Sequence, residues 1–314
     1  MLSSEHISRY RSLDFFARQV VEGFITGRHK SPFHGFSVEF SDYRQYNTGE
    51  STKNIDWHLY GRTDRLFVKQ FEEETNLRCQ IFLDQSGSMR FPLDHQGIID
   101  SPNKLTFSLY AAAVLIELLH RQRDAFGLTL FDNAIVQHTP CRSNSVHQKY
   151  LLGLLDGILN SPPKLGGVPR RGEGVCTDLP QALHLTAEQL HKRSLVVLFT
   201  DAFVRPDEQE PLFDALRHLR HNKHEVILFH TFDLAHEVNL EYEARPHLFI
   251  DLETHRQIKL QPNEVADNYR LQMNDLFTTL RQRAIQYRID YLPVDVAQGF
   301  HQILLPFLLK RSKH

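Results

Sequence analysis

The stretch Ile81-Phe82-Leu83-Asp84-Gln85-Ser86-Gly87-Ser88-Met89 decides how this chain is read. A dense apolar run ends on an aspartate, and two hydroxyls follow at Ser86 and Ser88. Short apolar runs closed by turn-forming residues predict strands covered on both faces. An acidic residue at the carboxyl end of such a strand, with serines two and four positions on, gathers three oxygen atoms in one loop. Oxygen donors of this kind suit a small hard cation, and no basic or sulfur-bearing residue interrupts them.

Outward from this stretch the pattern becomes βαβ. Strands are predicted over 78–84, 125–131, 195–200, 225–232 and 248–252. Helices are predicted over 104–121, 146–159, 178–191 and 208–220, then a long one over 262–287. A short strand at 288–292 and a last helix at 296–309 close the chain. Such alternation predicts an α/β fold with a doubly wound, mostly parallel sheet flanked by helices. In sheets of that type ligands bind beyond the carboxyl ends of the strands, where strand order reverses. Asp201, closing the run Leu195-Val-Val-Leu-Phe-Thr-Asp201, falls at such an end. Thr177 stands just before a predicted helix, where its hydroxyl can face the same crevice. Asp84, Ser86, Ser88, Thr177 and Asp201 together offer hydroxyls plus two carboxylates, a set suited to Mg²⁺, with Mn²⁺ or Ca²⁺ as alternatives. Read from residue type alone, the same aspartates and serines also serve as caps of the elements that follow them.

Residues 1–74 differ in texture and are read as a small N-terminal lobe, with the α/β domain spanning 75–314. The lobe combines a helical periodicity over 7–24 with a glycine- and aromatic-rich region containing strands at 36–40 and 66–71. Its pair Asp56-Trp57 can set an aromatic into the seam with the sheet, while Asp56 pairs with Arg44 or Arg62. The rival reading is a partner-docking surface built from Arg44, Tyr46, Asp56, Trp57 and Arg62, since exposed Trp, Tyr and Arg dominate binding hot spots.

Composition narrows the function classes. The 314 residues carry 36 Lys and Arg against 38 Asp and Glu, a balance that gives no reason to expect nucleic acid or an anionic membrane as partner. Three widely spaced cysteines, Cys79, Cys141 and Cys176, argue against a disulfide framework and for a reducing compartment. The start of the chain lacks the apolar core of a signal peptide, and the run Leu109–Leu119 is too short to span a bilayer. The expectation is a soluble, cytoplasmic protein. Ser86 lacks the G-x-S-x-G elbow of an α/β-hydrolase, and there is no P-loop, dinucleotide fingerprint or H-E-x-x-H. The histidines are scattered and are read mostly as surface or boundary residues.

The element Asp84-x-Ser86-x-Ser88, with Thr177 in C-T-D-L-P-Q-A-L and Asp201 in F-T-D-A, resembles the metal-ion-dependent adhesion site of von Willebrand factor A domains. In that family the cation keeps an open position that a partner's carboxylate fills, and the residue matched by Asp201 acts mainly through bound water. Cys176 and Ala202 stand where the family commonly has glycine. The resemblance implies a von Willebrand factor A-like, Rossmann-like domain. A second resemblance runs through R-Q-Y-N-T-G-E and N-I-D-W-H-L-Y-G-R and on to Lys104, F-H-T-F-D and F-I-D-L-E-T. On these residues the chain resembles the bacterial domain-of-unknown-function family number 58, often encoded beside MoxR-type AAA+ ATPases. Arg44, Tyr46, Gly49, Asp56, Trp57, Arg62, Lys69, Phe71 and Glu74 match its signature, and Glu50 replaces its more frequent aspartate. This implies a non-enzymatic binding module or adaptor working with such an ATPase. The alternatives are a Mg²⁺-dependent hydrolase of phosphate esters and a metal-independent scaffold. Against the hydrolase, Ser86 occupies the position where a common phosphatase class has its second aspartate.

Overall fold

The structure, a computed structural model, describes residues 12–26, 40–45, 57–71, 77–93, 102–132, 134–160, 179–202, 209–252, 256–300, 302–303 and 306–307. It divides into two units, Met1–Gly27 with Leu77–His314, and Arg28–Asn76. In chain order the elements are α1 (Leu13–Thr26), β1 (Phe40–Gln45), α2 (Trp57–Thr63), β2 (Phe67–Phe71), β3 (Arg78–Asp84), α3 (Lys104–Arg121), β4 (Ala125–Phe131) and β5 (Ile135–His138). There follow α4 (Ser145–Leu159), α5 (Leu179–Gln189), β6 (Leu195–Thr200), α6 (Gln209–His221), β7 (Glu225–Phe232), β8 (His247–Ile250), β9 (Gln257–Leu260), α7 (Pro262–Gln286) and β10 (Asp290–Asp295). A single π-helical turn, Leu234–Val238, follows β7.

The main sheet has strand order β10-β7-β6-β3-β4-β5. All neighbouring pairs are parallel except β4 with β5, an antiparallel edge. From β3 the chain moves one way to β4 and β5, then returns to the other side of β3 for β6, β7 and β10. Right-handed crossovers in opposite directions put the connecting helices on opposite faces. The crevice between the carboxyl ends of β3 and β6 is therefore the switch point at which such folds bind ligands.

Successive strand residues alternate between faces, and both faces are buried. On one face Phe82, Val196, Leu198, Val226 and Leu228 pack against Leu183 of α5, Leu216 of α6 and Leu280 of α7. On the other lies α3, buried from Lys104 through Leu119 because α1 and α4 cover the side turned away from the sheet. A helix apolar all round belongs in such a position. Phe107 stacks on Phe300 at 4.8 Å, and Phe16 of α1 meets Tyr110 edge-on at 4.7 Å. The one acid in this run, Glu117, is buried and accepts hydrogen bonds from Arg121 Nε (2.6 Å) and Gln148 Nε2 (2.7 Å).

Three expectations differ from the structure. The helix expected in a lobe over 1–74, α1, falls with the larger unit, because its apolar face is covered by α3 and α4. The strand expected at 248–252 is β8, and it pairs with β9 in a separate two-stranded ribbon instead of joining the sheet. Its residues alternate between half-buried and exposed, unlike the fully buried runs of β3 and β6. The last helix expected over 296–309 is observed only as a 3₁₀ turn at Val296–Gln298 and helical residues at 302–303 and 306–307, the rest lying outside the described residues.

In the smaller unit β1 and β2 pair antiparallel, and α2 has no buried residue. Trp57 is 61% exposed and sits edge-on to Tyr60 within this unit. Trp57→Ala is accordingly expected to change the unfolding free energy by less than about 0.5 kcal/mol in urea titrations.

One glycine in the sheet is required by close packing. A Cβ at Gly127 of β4 would stand 2.3 Å from Gln80 Oε1 and 2.6 Å from the Thr139 carbonyl oxygen. Gln80 cannot yield easily, since it is fully buried and its Nε2 donates to Thr129 Oγ1 at 2.8 Å. Gly127→Ala is expected to cost about 1–3 kcal/mol of stability, the usual size of an overpacking penalty, read from the shift of the urea midpoint.

Candidate metal centre

The carboxyl end of β3 builds half of the site. Asp84 is its last residue and is 2% exposed. Asp84 Oδ1 accepts the backbone N–H of Ser86 at 2.9 Å, which folds the following loop back over the strand end. Asp84 Oδ2 accepts the Thr200 hydroxyl at 2.7 Å, joining β3 to β6 across the switch point. Ser86 Oγ and Ser88 Oγ lie 3.0 Å apart, so both hydroxyls are drawn into the same small volume. Beneath them the 3₁₀ turn Ser88–Arg90 is anchored by Met89, which is fully buried and accepts the Thr231 hydroxyl on its sulfur at 3.7 Å.

Asp201, immediately after β6, supplies the other half and is 4% exposed. Ala202 behind it has a positive φ of 49°, a backbone conformation that favours glycine, and its N–H donates to Thr200 Oγ1 at 3.2 Å. Thr200 thus ties Asp84 and the turn after Asp201 to one hydroxyl. Asp201 Oδ2 accepts the ammonium of Lys104 at 2.9 Å. Lys104 opens α3, is fully buried, and also pairs with Glu237 on the π-helical turn after β7. Glu237 Oε2 in turn accepts the Asp233 backbone N–H at 3.0 Å, and Asp233 caps the same turn through His236 N–H at 2.7 Å.

The electrostatics follow from burial. The carboxyl pKa of Asp84 is pushed up to about 7, first by burial and then by the charge of Asp201, against the pull of hydrogen bonds from Thr200 and Ser86. Burial alone would lower the ammonium pKa of Lys104, but Asp201 and Glu237 outweigh it and the pKa is raised. Burial raises the carboxyl pKa of Glu237, with Lys104 opposing. His230 on β7 is fully buried, donates to or accepts from Tyr291 Oη at 2.7 Å, and has its pKa pushed down to about 4 by burial.

Of the residues singled out in the sequence, Asp84, Ser86, Ser88 and Asp201 come to the same end of the sheet. Thr177 lies outside the described residues, two positions before α5. Arg44 is on β1 and Trp57 and Arg62 are on α2, while Tyr46 and Asp56 lie outside the described residues. Sequence reasoning gave no role to Thr200, Lys104 or Glu237. A lysine in the first turn of an otherwise apolar helix, where the helix dipole disfavours positive charge, was a usable signal for Lys104. Some histidines read as surface or boundary residues are buried: His224 is fully buried where α6 turns into β7 and takes the Ser194 N–H on Nδ1 at 3.2 Å.

A cation fits this donor set. Two buried carboxylates in electrostatic reach of each other, one with its pKa lifted far above the ordinary range, are relieved by a positive ion between them. Oxygen ligands from two carboxylates and hydroxyls match Mg²⁺, which keeps waters in its shell. Among the described residues no group of three His, Cys, Asp or Glu side chains is arranged to hold a metal.

Residues 42–282 match the family described as protein of unknown function DUF58. The chain belongs to the DUF58 family. Similar chains include the uncharacterized proteins Mb1516 of Mycobacterium bovis and Rv1480 of Mycobacterium tuberculosis. Each is 23% identical over 225 residues, covering 71% of this chain and 64% of the relative. The DUF58 chain described here therefore spans less than two thirds of the length of these relatives. Among solved structures, conserved hypothetical protein BatB from Bacteroides thetaiotaomicron superposes with a TM-score of 0.46 at 16% identity, over 76% of this chain and all of that one. An uncharacterized membrane spanning protein from Vibrio fischeri gives a TM-score of 0.26 at 14% identity, over 75% of this chain and 97% of that one. Both likenesses are loose. Among the described residues of this DUF58 protein, no helix is long and apolar enough to cross a membrane.

Proposed function

We propose that this DUF58 protein is a von Willebrand factor A-like binding module whose crevice holds Mg²⁺, or Mn²⁺ or Ca²⁺ in its place, and presents it to an acidic side chain of a partner protein. The observation that carries this reading is the convergence of Asp84, Ser86 and Ser88 with Asp201 at the switch point, one carboxylate bridged to the neighbouring strand by Thr200. Asp84, Ser86, Ser88 and Thr177 hold the cation, Asp201 supports it, and the bound ion supplies a positive charge that a partner's carboxylate completes. The protein's own contribution is to fix these oxygens on strand ends and to keep the floor of the site dry.

The partner is a MoxR-type AAA+ ATPase or a protein handled with it, in the cytoplasm. Both oxygens of Asp84 are already engaged, by Ser86 and Thr200, an arrangement that favours a fixed ligand over the nucleophile of a phosphate-ester hydrolase. The test is capture of the ATPase encoded beside the gene on immobilised protein. Wild type in Mg²⁺ is expected to retain it, and Asp84→Ala, or wild type in EDTA, to lose it. Equal capture in all three would overturn metal-dependent docking and leave the surface around Trp57 and Arg62 as the contact.

A further inference from the structure

Lys104 is the one lysine buried among the described residues, and its ammonium is divided between two carboxylates from distant parts of the chain. One of them, Asp201, faces Asp84 electrostatically across the candidate cation site, and the other, Glu237, belongs to the π-helical turn beyond β7. The lysine is fixed at both ends. Its backbone N–H donates to the Phe91 carbonyl at 3.0 Å, and Asn103 caps the helix it opens by accepting the Thr106 N–H at 2.7 Å. Glu237 is held as firmly, by the Asp233 N–H on its carboxylate and by Tyr269, whose hydroxyl donates to the Glu237 carbonyl at 2.7 Å.

We propose that Lys104 is a positioning residue that sets which cation the site accepts. Its ammonium, 2.9 Å from Oδ2 of Asp201, competes for that oxygen and so opposes closure of Asp201 on a metal with both oxygens. Mg²⁺ retains several waters and takes few carboxylate oxygens, whereas Ca²⁺ is favoured by more protein oxygens and by bidentate carboxylates. The lysine therefore biases the crevice toward Mg²⁺, and Glu237 is the anchor that keeps its charge in place. A fixed internal cation also lowers the total negative charge that the bound ion meets, which disfavours uptake of a second ion.

This inference rests on the reading of the crevice as a cation site, and the experiment separates the two. Metal-stripped wild type, Glu237→Gln and the double variant Lys104→Met/Glu237→Gln are titrated calorimetrically with Mg²⁺ and with Ca²⁺, folding being checked by circular dichroism. The double variant removes one charge of each sign together, so it is less prone to unfold than Lys104→Met alone. The ratio of Ca²⁺ to Mg²⁺ affinity is expected to rise at least about tenfold in the double variant, as Asp201 becomes free to coordinate directly. Glu237→Gln, which keeps the ammonium but loosens it, moves the ratio the same way by less. An unchanged ratio in folded variants that still bind a cation overturns the role of Lys104 alone. Absence of binding by wild type to either ion overturns the site itself, and this inference with it.

Discussion

Lys104→Met is expected to lower the unfolding free energy by about 3–5 kcal/mol, the cost of breaking a buried ion pair from one side. The side chain is fully buried, and its removal leaves Asp201 and Glu237 without the ammonium they share. Neither carboxylate can turn to solvent, since Asp201 is 4% exposed and Glu237 is held by the Asp233 N–H. The loss is read from the urea midpoint of the metal-free protein, where a change in midpoint at constant slope reports stability. Adding Glu237→Gln to the same chain is expected to recover part of it, because a neutral amide needs no counter-charge. A Lys104→Met protein as stable as wild type would show that the ammonium contributes no net stabilisation.

The second large effect expected is a dependence of stability on pH that a bound cation would remove. The Asp84 pKa is pushed up to about 7 in the folded chain from an ordinary value of 3.8, first by burial and next by Asp201. A raised carboxyl pKa means that the folded state holds its proton longer than the unfolded chain does. The associated stability is present in full below about pH 4 and is lost progressively as pH rises through about 7. At 1.36 kcal/mol for each pKa unit, this group alone costs the metal-free protein on the order of 4 kcal/mol above neutrality. Asp84→Asn mimics the protonated carboxyl, so it is expected to raise metal-free stability at pH 8 by up to about 4 kcal/mol. A reading of Asp84 as a simple loop cap predicts the reverse, a loss of about 1 kcal/mol. Mg²⁺ held at Asp84 would compete with the same proton, so its stabilising effect on wild type is expected to grow between pH 6 and pH 8, measured as the shift in melting temperature at fixed Mg²⁺. A shift independent of pH would detach the cation from Asp84.

Much of this architecture was legible because it is written locally. The strands β3, β4, β6 and β7 are short apolar runs with sharp ends, and they fall where the sequence placed them. Helix α3 begins at Lys104 and ends at Arg121 as expected, with Asn103 as its cap. Asp84 and Asp201 could be assigned to strand ends because an acid terminates each apolar run. The strand at 248–252 misled because apolar density signals a strand without saying which sheet it joins, and β8 leaves one face exposed. The partnership of Lys104 with Glu237 spans 133 residues and depends on a π-helical turn that no periodicity announces. Thr200 escaped notice for a related reason. A threonine closing an apolar run is ordinary, and only the pairing of β3 with β6 shows that its hydroxyl reaches Asp84.

The proposed function requires a divalent cation bound between the ends of β3 and β6. Its most direct measurement is calorimetric titration of Mg²⁺ into EDTA-stripped protein at pH 8, comparing wild type with Asp84→Asn. Saturable binding of one ion by wild type and none by Asp84→Asn is expected, although the variant is folded and more stable without metal. Equal heats in the two proteins, or none in wild type with Mg²⁺, Mn²⁺ and Ca²⁺ alike, would contradict it.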